Sequence, residues 1–250
     1  MTRSSVILTL FAFAITALPV QADDWDFVVA PYFVAPSITG EASIGRIEGV
    51  PIDVNPADII KALNIGAMIH FEAHHEGGFG VNLDYSFMDL GDKGSLPQGL
   101  GEVEAGIFQG ALEAMGAYRW KRDENTVDVY AGIRWWDIRV TTDLFLPMRD
   151  LRVKREDNWV DPVVGMRWFT PVTSKLKFKL RGDIGGFGAG SKFSWRAHGG
   201  ILWQFKPRLA LALDYMALSV DRRRGQTGTP DRFVYDTVTH GPLVGVAFTF

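Results

Sequence analysis

Three residues with metal-binding side chains stand at alternate positions: His70, Glu72 and His74. On a β-strand, alternate residues share one face and their Cα atoms lie about 7 Å apart, which suits joint ligation of a metal. A metal site would need a further ligand from a neighbouring strand, and the sequence offers no evident one. We therefore interpret the triplet as a structural polar face, and we predict neither a metal nor another cofactor.

Histidine near serine or aspartate is the second pattern that could do chemistry, because such a base can activate a hydroxyl nucleophile. His198 shares a predicted strand face with Ser194 and Arg196, which a hydrogen-bond network explains equally well. His240 falls on the apolar face of its segment. The chain contains no Cys, so disulfides, thiolate metal sites and Cys nucleophiles are excluded. We predict that the chain has no catalytic residue and is not an enzyme.

The largest set of candidate residues consists of charged side chains that recur at alternate positions in successive segments. Acids and bases are nearly equal in number, and Asp26, His70 and His74 belong to the same faces. The candidates are Glu72, Asp84, Glu113, Arg119, Asp128, Arg134, Asp161, Arg167, Lys177, Lys179, Arg181, Asp183, Arg196, His198 and Asp214.

Ten segments carry this alternation, with apolar residues on the face opposite the charges. In the eighth segment, Trp195 and Trp203 oppose Arg196 and His198. A shift of one residue would move every charge to the apolar side, so the register is well specified. The predicted strands are 25–38, 65–74, 79–90, 104–120, 126–142, 157–169, 175–187, 193–205, 209–221 and 234–250.

One apolar and one charged face per strand is typical of a membrane β-barrel, whose outward residues contact lipid. The chain is 47% hydrophobic with 17 Phe and 8 Trp, yet no apolar run after residue 22 reaches the ~20 residues of a membrane helix. We predict an all-β fold, a transmembrane antiparallel up-and-down β-barrel of about ten strands. Eight or twelve strands stay possible, because residues 41–44 and 50–54 could form another hairpin. A soluble β-sandwich or lipocalin-like barrel is the alternative.

The predicted connections alternate between short and long. Short ones span 75–78, 121–125, 171–174 and 206–208 and are placed in the periplasm with both termini. Long ones span 39–64, 91–103, 143–156 and 222–233 and are placed outside, where the short connection 188–192 is the exception. In the first long connection, Asn55 as N-cap and Pro56 at the first helical position predict a short helix over 55–63.

Aromatic residues are expected in two girdles at the membrane interfaces. Those near the periplasmic ends are Trp25, Phe79, Tyr118, Trp120, Trp168, Trp203, Phe205 and Phe250, and those near the outer ends are Phe87, Trp135, Trp159, Phe187, Phe193 and Trp195.

Residues 1–22 have the features of a secretory signal. Arg3 supplies the positive charge, residues 6–20 form the apolar stretch, and Val20-Gln-Ala22 resembles a small-residue cleavage site. We predict a signal peptide over 1–22 and a barrel over 23–250. In the last strand, Phe250, Phe248 and Val246 alternate with smaller residues.

Several stretches resemble small proteobacterial outer-membrane β-barrel proteins, described as porin-like or opacity-type surface barrels, and the outer membrane protein A-like barrel. They are Ala30-Pro-Tyr-Phe33, Asp58-Ile-Ile-Lys-Ala-Leu-Asn-Ile-Gly66, Trp159-Val-Asp-Pro-Val-Val-Gly165, Leu180-Arg-Gly-Asp-Ile-Gly-Gly-Phe-Gly188 and the last strand. The resemblance implies a Gram-negative outer membrane location. It also implies that Phe250 and Phe248 belong to the signal for the barrel-insertion machinery. It implies no catalytic or ligand-binding residues.

Two interpretations of the charged interior stay open. A ten-stranded barrel is narrow, so opposite charges would pair across it and form a rigid ionic plug. Alternatively, Lys177, Lys179 and Arg181 would line a narrow water-filled pathway for ions or small solutes.

The function predicted from the sequence is a structural or porin-like role in the envelope, with a narrow solute channel as its most specific form. The alternatives are a carrier of a small apolar ligand, with the first loop as a lid, and a lipid-modifying outer-membrane enzyme. We expect a monomer in contact with outer-membrane lipids and lipopolysaccharide, whose phosphates the basic stretches 149–155 and 222–224 could contact. The net charge of −3 gives no indication of nucleic-acid binding.

Overall fold

A computed structural model describes residues 24–95, 102–146 and 149–250, and the predicted signal segment 1–22 lies outside these ranges. It contains twelve strands and one helix. They are β1 (Trp25–Val34), β2 (Ser37–Ile44), β3 (Ile47–Val54), α1 (Pro56–Ala62), β4 (Leu63–His75), β5 (Phe79–Ser95), β6 (Glu102–Arg122), β7 (Asn125–Leu146), β8 (Arg149–Thr173), β9 (Leu176–Gly185), β10 (Phe193–Lys206), β11 (Leu209–Arg224) and β12 (Phe233–Thr249). No helix within these ranges is long and apolar enough to span a membrane.

The strands form one antiparallel sheet that closes on itself. Neighbours follow chain order from β4 to β12, and β12 returns to pair with β1. The C-terminal part of β12 pairs with β1, as in Val29 with Phe248, and its N-terminal part pairs with β2, as in Thr237 with Gly40. Because the chain bends at Ala35 and Pro36, β1 and β2 together occupy a single strand position in the barrel wall. The wall has ten positions, which confirms the predicted ten-stranded barrel.

The hairpin of β2 and β3 extends the first connection instead of adding wall strands, because β3 pairs only with β2. After it, α1 begins where expected. The side-chain oxygen of Asn55 accepts hydrogen bonds from the backbone N–H groups of Ala57 and Asp58 at 2.9 and 3.1 Å, and Pro56 occupies the first turn, where its missing N–H is not needed.

Successive residues alternate between an exposed apolar face and a buried polar face, as the period of two requires. In β7, Val129 and Ile133 are exposed on the outside, whereas Asp128 and Arg134 are completely buried inside. In β12, Val244 is exposed while Leu243 and Ala247 face inward. The outer surface thus carries an apolar band, and the inward face is charged on β7 but apolar over this part of β12.

The barrel has a turn end and a loop end. The turn end carries both termini of the sheet and four short connections, at 76–78, 123–124, 174–175 and 207–208. The loop end carries the β2–β3 hairpin, α1 and the remaining connections.

Three predicted long loops are wrong in extent, because the ladder of backbone hydrogen bonds continues past the apolar band. Residues 143–146 and 149–156 are paired in β7 and β8, and residues 222–224 are paired in β11. The basic stretches 149–155 and 222–224 therefore lie on strands.

The fold predicts that the exposed band behaves as a lipid-facing surface. Leu213 is exposed between Leu211 and Tyr215 on β11. Leu213→Arg should lower the free energy of unfolding in lipid bilayers by about 2–4 kcal/mol, since a charge inside the hydrocarbon loses its hydration. Denaturant titration of the protein in vesicles measures this change.

Val172→Arg is the matched control, because Val172 is equally exposed but lies on β8 next to the turn end. Equal effects of the two substitutions would contradict a membrane-spanning band.

Candidate functional site in the barrel interior

The centre of the interior is built around one carboxylate. Glu113 on β6 is buried and receives hydrogen bonds from three arginines on three other strands. Arg134 Nε lies 2.7 Å from Oε1, Arg181 Nη2 lies 2.8 Å from Oε2, and Arg196 contacts both oxygens. Because each arginine comes from a different strand, this carboxylate links β6, β7, β9 and β10 across the lumen.

Asp183 completes the central cluster from the opposite side of Arg134. Arg134 Nη2 donates to Asp183 Oδ1 at 2.7 Å, and the Tyr130 hydroxyl donates to Asp183 Oδ2 at 3.1 Å. Arg181 Nε donates to the same hydroxyl at 2.9 Å. Desolvated charges of this kind persist only when they are paired and hydrogen-bonded. Here each charged group is hydrogen-bonded to another member of the cluster.

A second ionic cluster lies closer to the turn end. Asp128 accepts from Arg119 at 2.7 and 2.8 Å and from Arg167 at 2.7 Å. Arg167 also binds both oxygens of Glu72 on β4. Two acids and two arginines thus compensate each other.

The His70–Glu72–His74 triplet is part of this polar network. His70 Nε2 lies 2.8 Å from Glu72 Oε1, and His70 Nδ1 lies 3.0 Å from Asp84 Oδ2. The Tyr32 hydroxyl donates to Asp84 Oδ1 at 2.8 Å. Within residues 24–95, 102–146 and 149–250, no group of His, Asp and Glu side chains is arranged to hold a metal ion. Both ring nitrogens of His70 are already engaged with carboxylates.

A third cluster lies on β9, β10 and β11. Lys179 Nζ is 2.8 Å and His198 Nε2 is 3.2 Å from Asp214 Oδ2. Next to it, Lys177 is exposed towards the turn end and forms no ion pair with any described residue. Of the three basic residues predicted to line a pathway, Lys177, Lys179 and Arg181, the last two are therefore paired with acids. Asp214 pairs with Lys179, and Glu113 pairs with Arg181.

The loop end of the interior is closed by aromatic and aliphatic side chains. Trp136 and Trp159 stack with ring centroids 5.8 Å apart, and Trp159 packs on Phe233 from the other side of the barrel. The full cluster, named here the outer seal, comprises Ala111, Trp136, Ile138, Trp159, Leu218, Val220, Phe233 and Tyr235. The placement of Trp159 in the outer girdle is wrong, because it shares the inward parity of Asp161.

The short connection 186–192 folds inward and supports the outer seal. Asp161 accepts hydrogen bonds from Ser191 N at 2.6 Å, from Ser191 Oγ at 2.8 Å and from Trp136 Nε1 at 3.0 Å. Ser191 Oγ in turn accepts from Trp159 Nε1 at 2.8 Å. Asp161 is thus fully buried among neutral donors, and the connection is short because it lies within the barrel mouth.

The basic stretches at the loop end are largely paired with acids. Arg222 and Arg224 bind Asp157 at 3.0 and 2.7 Å, and Arg222 also contacts the Gly190 carbonyl. Above the apolar band, hydrogen bonds from Arg152 hold the pKa of the Asp143 carboxyl below its usual value. Few of these charges are left to attract phosphates.

A cavity of about 400 Å³ occupies the space that these clusters leave. It reaches the turn end at Glu124, Lys177 and Thr249, and it ends at the outer seal, beside Trp136 and Leu218. One wall is charged, with the basic residues Arg119, Arg167, Lys179, Arg181, Arg196 and His198 beside the acidic residues Glu72 and Asp84. The other wall, from β1, β11 and β12, is small and apolar, with Ala30, Val34, Ala210, Ala212, Leu243 and Ala247.

Strand parity identified the ionic partners but missed other interior residues. Tyr130, Trp136 and Asp157 contact the clusters and were not singled out, although their parity matches that of Asp128, Arg134 and Asp161. Tyr32, inward from β1, and Ser191, in a connection, carried no comparable charge signal.

Comparison with known proteins identifies the fold alone. No protein-family model matches the chain, and no curated protein matches its sequence. Among solved structures, the outer membrane protease OmpT from Escherichia coli is 7% identical with a TM-score of 0.55, covering 94% of this chain and 99% of that chain. The translocator domain of autotransporter NalP from Neisseria meningitidis is 10% identical with a TM-score of 0.53, covering 93% and 91%.

The chain therefore has the fold of an outer-membrane β-barrel. The two similar structures are a protease and a translocator domain, so the likeness assigns neither activity to this chain. The absence of catalytic residues stays a prediction.

The geometry predicts that Glu113 stabilises the barrel more than any surface acid. Glu113→Gln would leave three buried arginines without their shared counter-charge, and we expect a loss of about 3–5 kcal/mol in the free energy of unfolding. Unfolding in detergent, followed by tryptophan fluorescence, measures the loss.

Glu156→Gln provides the control, because Glu156 pairs with Lys154 while both side chains are exposed. Surface pairs contribute little, so its stability should stay near that of the parent. A Glu113→Gln protein as stable as this control would rule out the central role of the carboxylate.

Proposed function

We propose that the chain is an integral outer-membrane barrel whose turn end faces the periplasm and whose cavity binds a small amphipathic molecule. The apolar outer band, the closed ladder and the outer-membrane barrel fold support this location. Residues 1–22 would direct export and be removed. Lipids and lipopolysaccharide would surround a monomeric barrel, and the insertion machinery would read Phe250 and Phe248.

The observation that carries this proposal is a cavity that is open at one end and closed at the other. A solute channel needs a continuous polar path, whereas here the cavity ends at the outer seal. Tyr235 even reaches across the barrel to Gln109, with its hydroxyl 3.1 Å from the amide oxygen. A closed cavity of this kind favours ligand binding over free diffusion of ions.

The size and lining of the cavity indicate the ligand class. About 400 Å³ falls within the range of roughly 300–1,000 Å³ typical of small-molecule sites, which are mostly apolar with a few placed polar groups. The wall of Ala210, Ala212 and Leu243 suits an apolar body, and the uncompensated Lys177 near the opening suits an acidic group. We propose an apolar molecule that carries one carboxylate.

Lys177 is the basic residue best placed to receive that carboxylate. Lys179 and Arg181 are held by Asp214 and Glu113, so their charges are largely compensated. Lys177 lines the same cavity close to its opening and has no acidic partner in the described part of the chain.

The closed lumen predicts that the refolded barrel carries no steady current across a planar bilayer at neutral pH. Trp136→Ala together with Trp159→Ala should open a conductance, because the double substitution removes the stacked pair at the centre of the outer seal.

Phe187→Ala, at an exposed aromatic of the adjacent connection, is the control and should stay silent. A steady current through the parent barrel would instead establish a solute channel and overturn the proposed binding function.

The proposed ligand class predicts a selective effect at Lys177. Lys177→Met should weaken binding of a medium-chain fatty acid about tenfold, equivalent to ~1.4 kcal/mol, since it removes the charge that meets the carboxylate. Isothermal titration in detergent, below the micelle concentration of the fatty acid, measures the affinity.

Lys175→Met is the matched control, because Lys175 lies two residues away, is exposed and does not line the cavity. Equal losses in the two variants would show that the fatty acid binds outside the cavity.

A further inference from the structure

The wall of the barrel has a break between β1 and β4. These strands are paired from Trp25 with His75 up to Pro31 with Ile69. Beyond that point, towards the loop end, β1 stays paired with β12 and β4 stays paired with β5, but β1 and β4 are not paired with each other. In the described part of the chain, β1 and β4 form no pair beyond Pro31 and Ile69, so residues 33–34 and residues 63–67 are not paired with each other.

The break lies at the depth of the lipid. Its flanks are apolar residues that point outward: Phe33 on β1 is 44% exposed, and Ile69 and Ile65 on β4 are 46% and 59% exposed. The β1–β4 ladder stops at Pro31 and Ile69. Since the loop end is on the outer side of the proposed orientation, this break faces the outer leaflet.

Unpaired strand edges are unfavourable in hydrocarbon, where no water can bond the backbone groups. Alternate residues of 63–68 turn both their N–H and C=O towards the missing partner. Retention of such an edge at the depth of the lipid calls for a reason. A route through the wall provides one, because a joined ladder at this height would block it.

The break leads towards the central cavity. A small pocket of about 30 Å³ lies in it, lined by Phe33 and Ala67 on the outside and by Tyr32, Val34, Met68 and Met88 on the inside. The last four also line the 400 Å³ cavity. Only these side chains separate the two spaces, and both methionines are flexible enough to move aside.

The first connection closes the break from above. Ile59 of α1 is 2% exposed and packs with Ile38 and Met88. Its neighbour Ile60 is 55% exposed and lines the pocket in the wall. The helix is seven residues long, follows a hairpin that in the described part of the chain pairs with the barrel through β12, and continues directly into β4 at Leu63.

We propose that the apolar carboxylate enters the cavity sideways from the outer leaflet, between β1 and β4, after displacement of Ile59. This inference rests on the proposed function, since it needs a ligand-binding cavity. The molecule would pass Phe33 and Met68, and its carboxylate would reach Lys177 near the turn end of the cavity.

A reversible cross-link across the break tests the route. Phe33→Cys and Ala67→Cys would face each other if the β1–β4 register continued, and the chain contains no other Cys. A short bifunctional methanethiosulfonate joins the pair, and a thiol reductant releases it. Val29→Cys with Phe71→Cys is the matched control, because these outward residues are already paired below the break.

The readout is quenching of Trp136, which lines the cavity, by a brominated fatty acid supplied in the bilayer of proteoliposomes. The same measurement on Trp136→Phe proteins subtracts the outward tryptophans. We expect the cross-link at 33 and 67 to slow quenching at least tenfold, with recovery after reduction. The cross-link at 29 and 71 should leave the rate unchanged.

The outcomes separate the two proposals. Equal rates in the cross-linked and reduced protein, with full quenching of Trp136, would overturn the lateral route and leave the binding cavity intact. Absence of Trp136 quenching in the parent protein, in any state, would overturn the binding function itself. Slowing by both cross-links would also overturn the route, since the control pair lies outside the break.

Discussion

The constraint on which this structure depends is that a strand in hydrocarbon must bond its backbone groups to other strands. It explains why β12 is shared between β1 and β2, because the bend at Ala35 and Pro36 lets one strand complete the ladder with both. Once the ladder closes, a period of two decides which residues can carry charge.

Closure of a narrow barrel creates the second constraint, which is charge compensation. Inward positions on β4, β6, β7, β9 and β10 carry ionisable groups that cannot reach bulk water, and pairing between strands far apart in sequence compensates them. Glu113 and Arg196 are 83 residues apart and meet across the lumen. At the cavity, β1, β11 and β12 contribute mainly small or aliphatic side chains instead, such as Ala30, Ala212 and Leu243. The cavity remains on that side because small side chains leave space there.

The sequence predicted the wall well, since a period of two repeated in ten segments assigns both strand and face. It predicted the charged interior for the same reason: Asp128 and Arg134 cannot change faces without moving Val129 and Ile133. It did not predict strand length beyond the apolar band, where charged residues become frequent, as in residues 149–156 of β8. Nor did it predict cross-lumen partners, because these depend on strand tilt and stagger.

Trp159 shows how two sequence rules can conflict. Its position near a strand end favours a membrane girdle, whereas its parity with Asp161 places it inside, and the structure follows parity because backbone geometry leaves no choice of face. The same parity places Trp136 and Phe233 inside the barrel, where both pack against Trp159 and form the outer seal. A barrel that is closed above by packed rings and open below has few routes for a ligand from outside. In the described part of the chain, the interruption of the ladder between Phe33 and Ala67 lies at a pocket beside the cavity, so entry from the lipid at this place requires side chains and α1 to move.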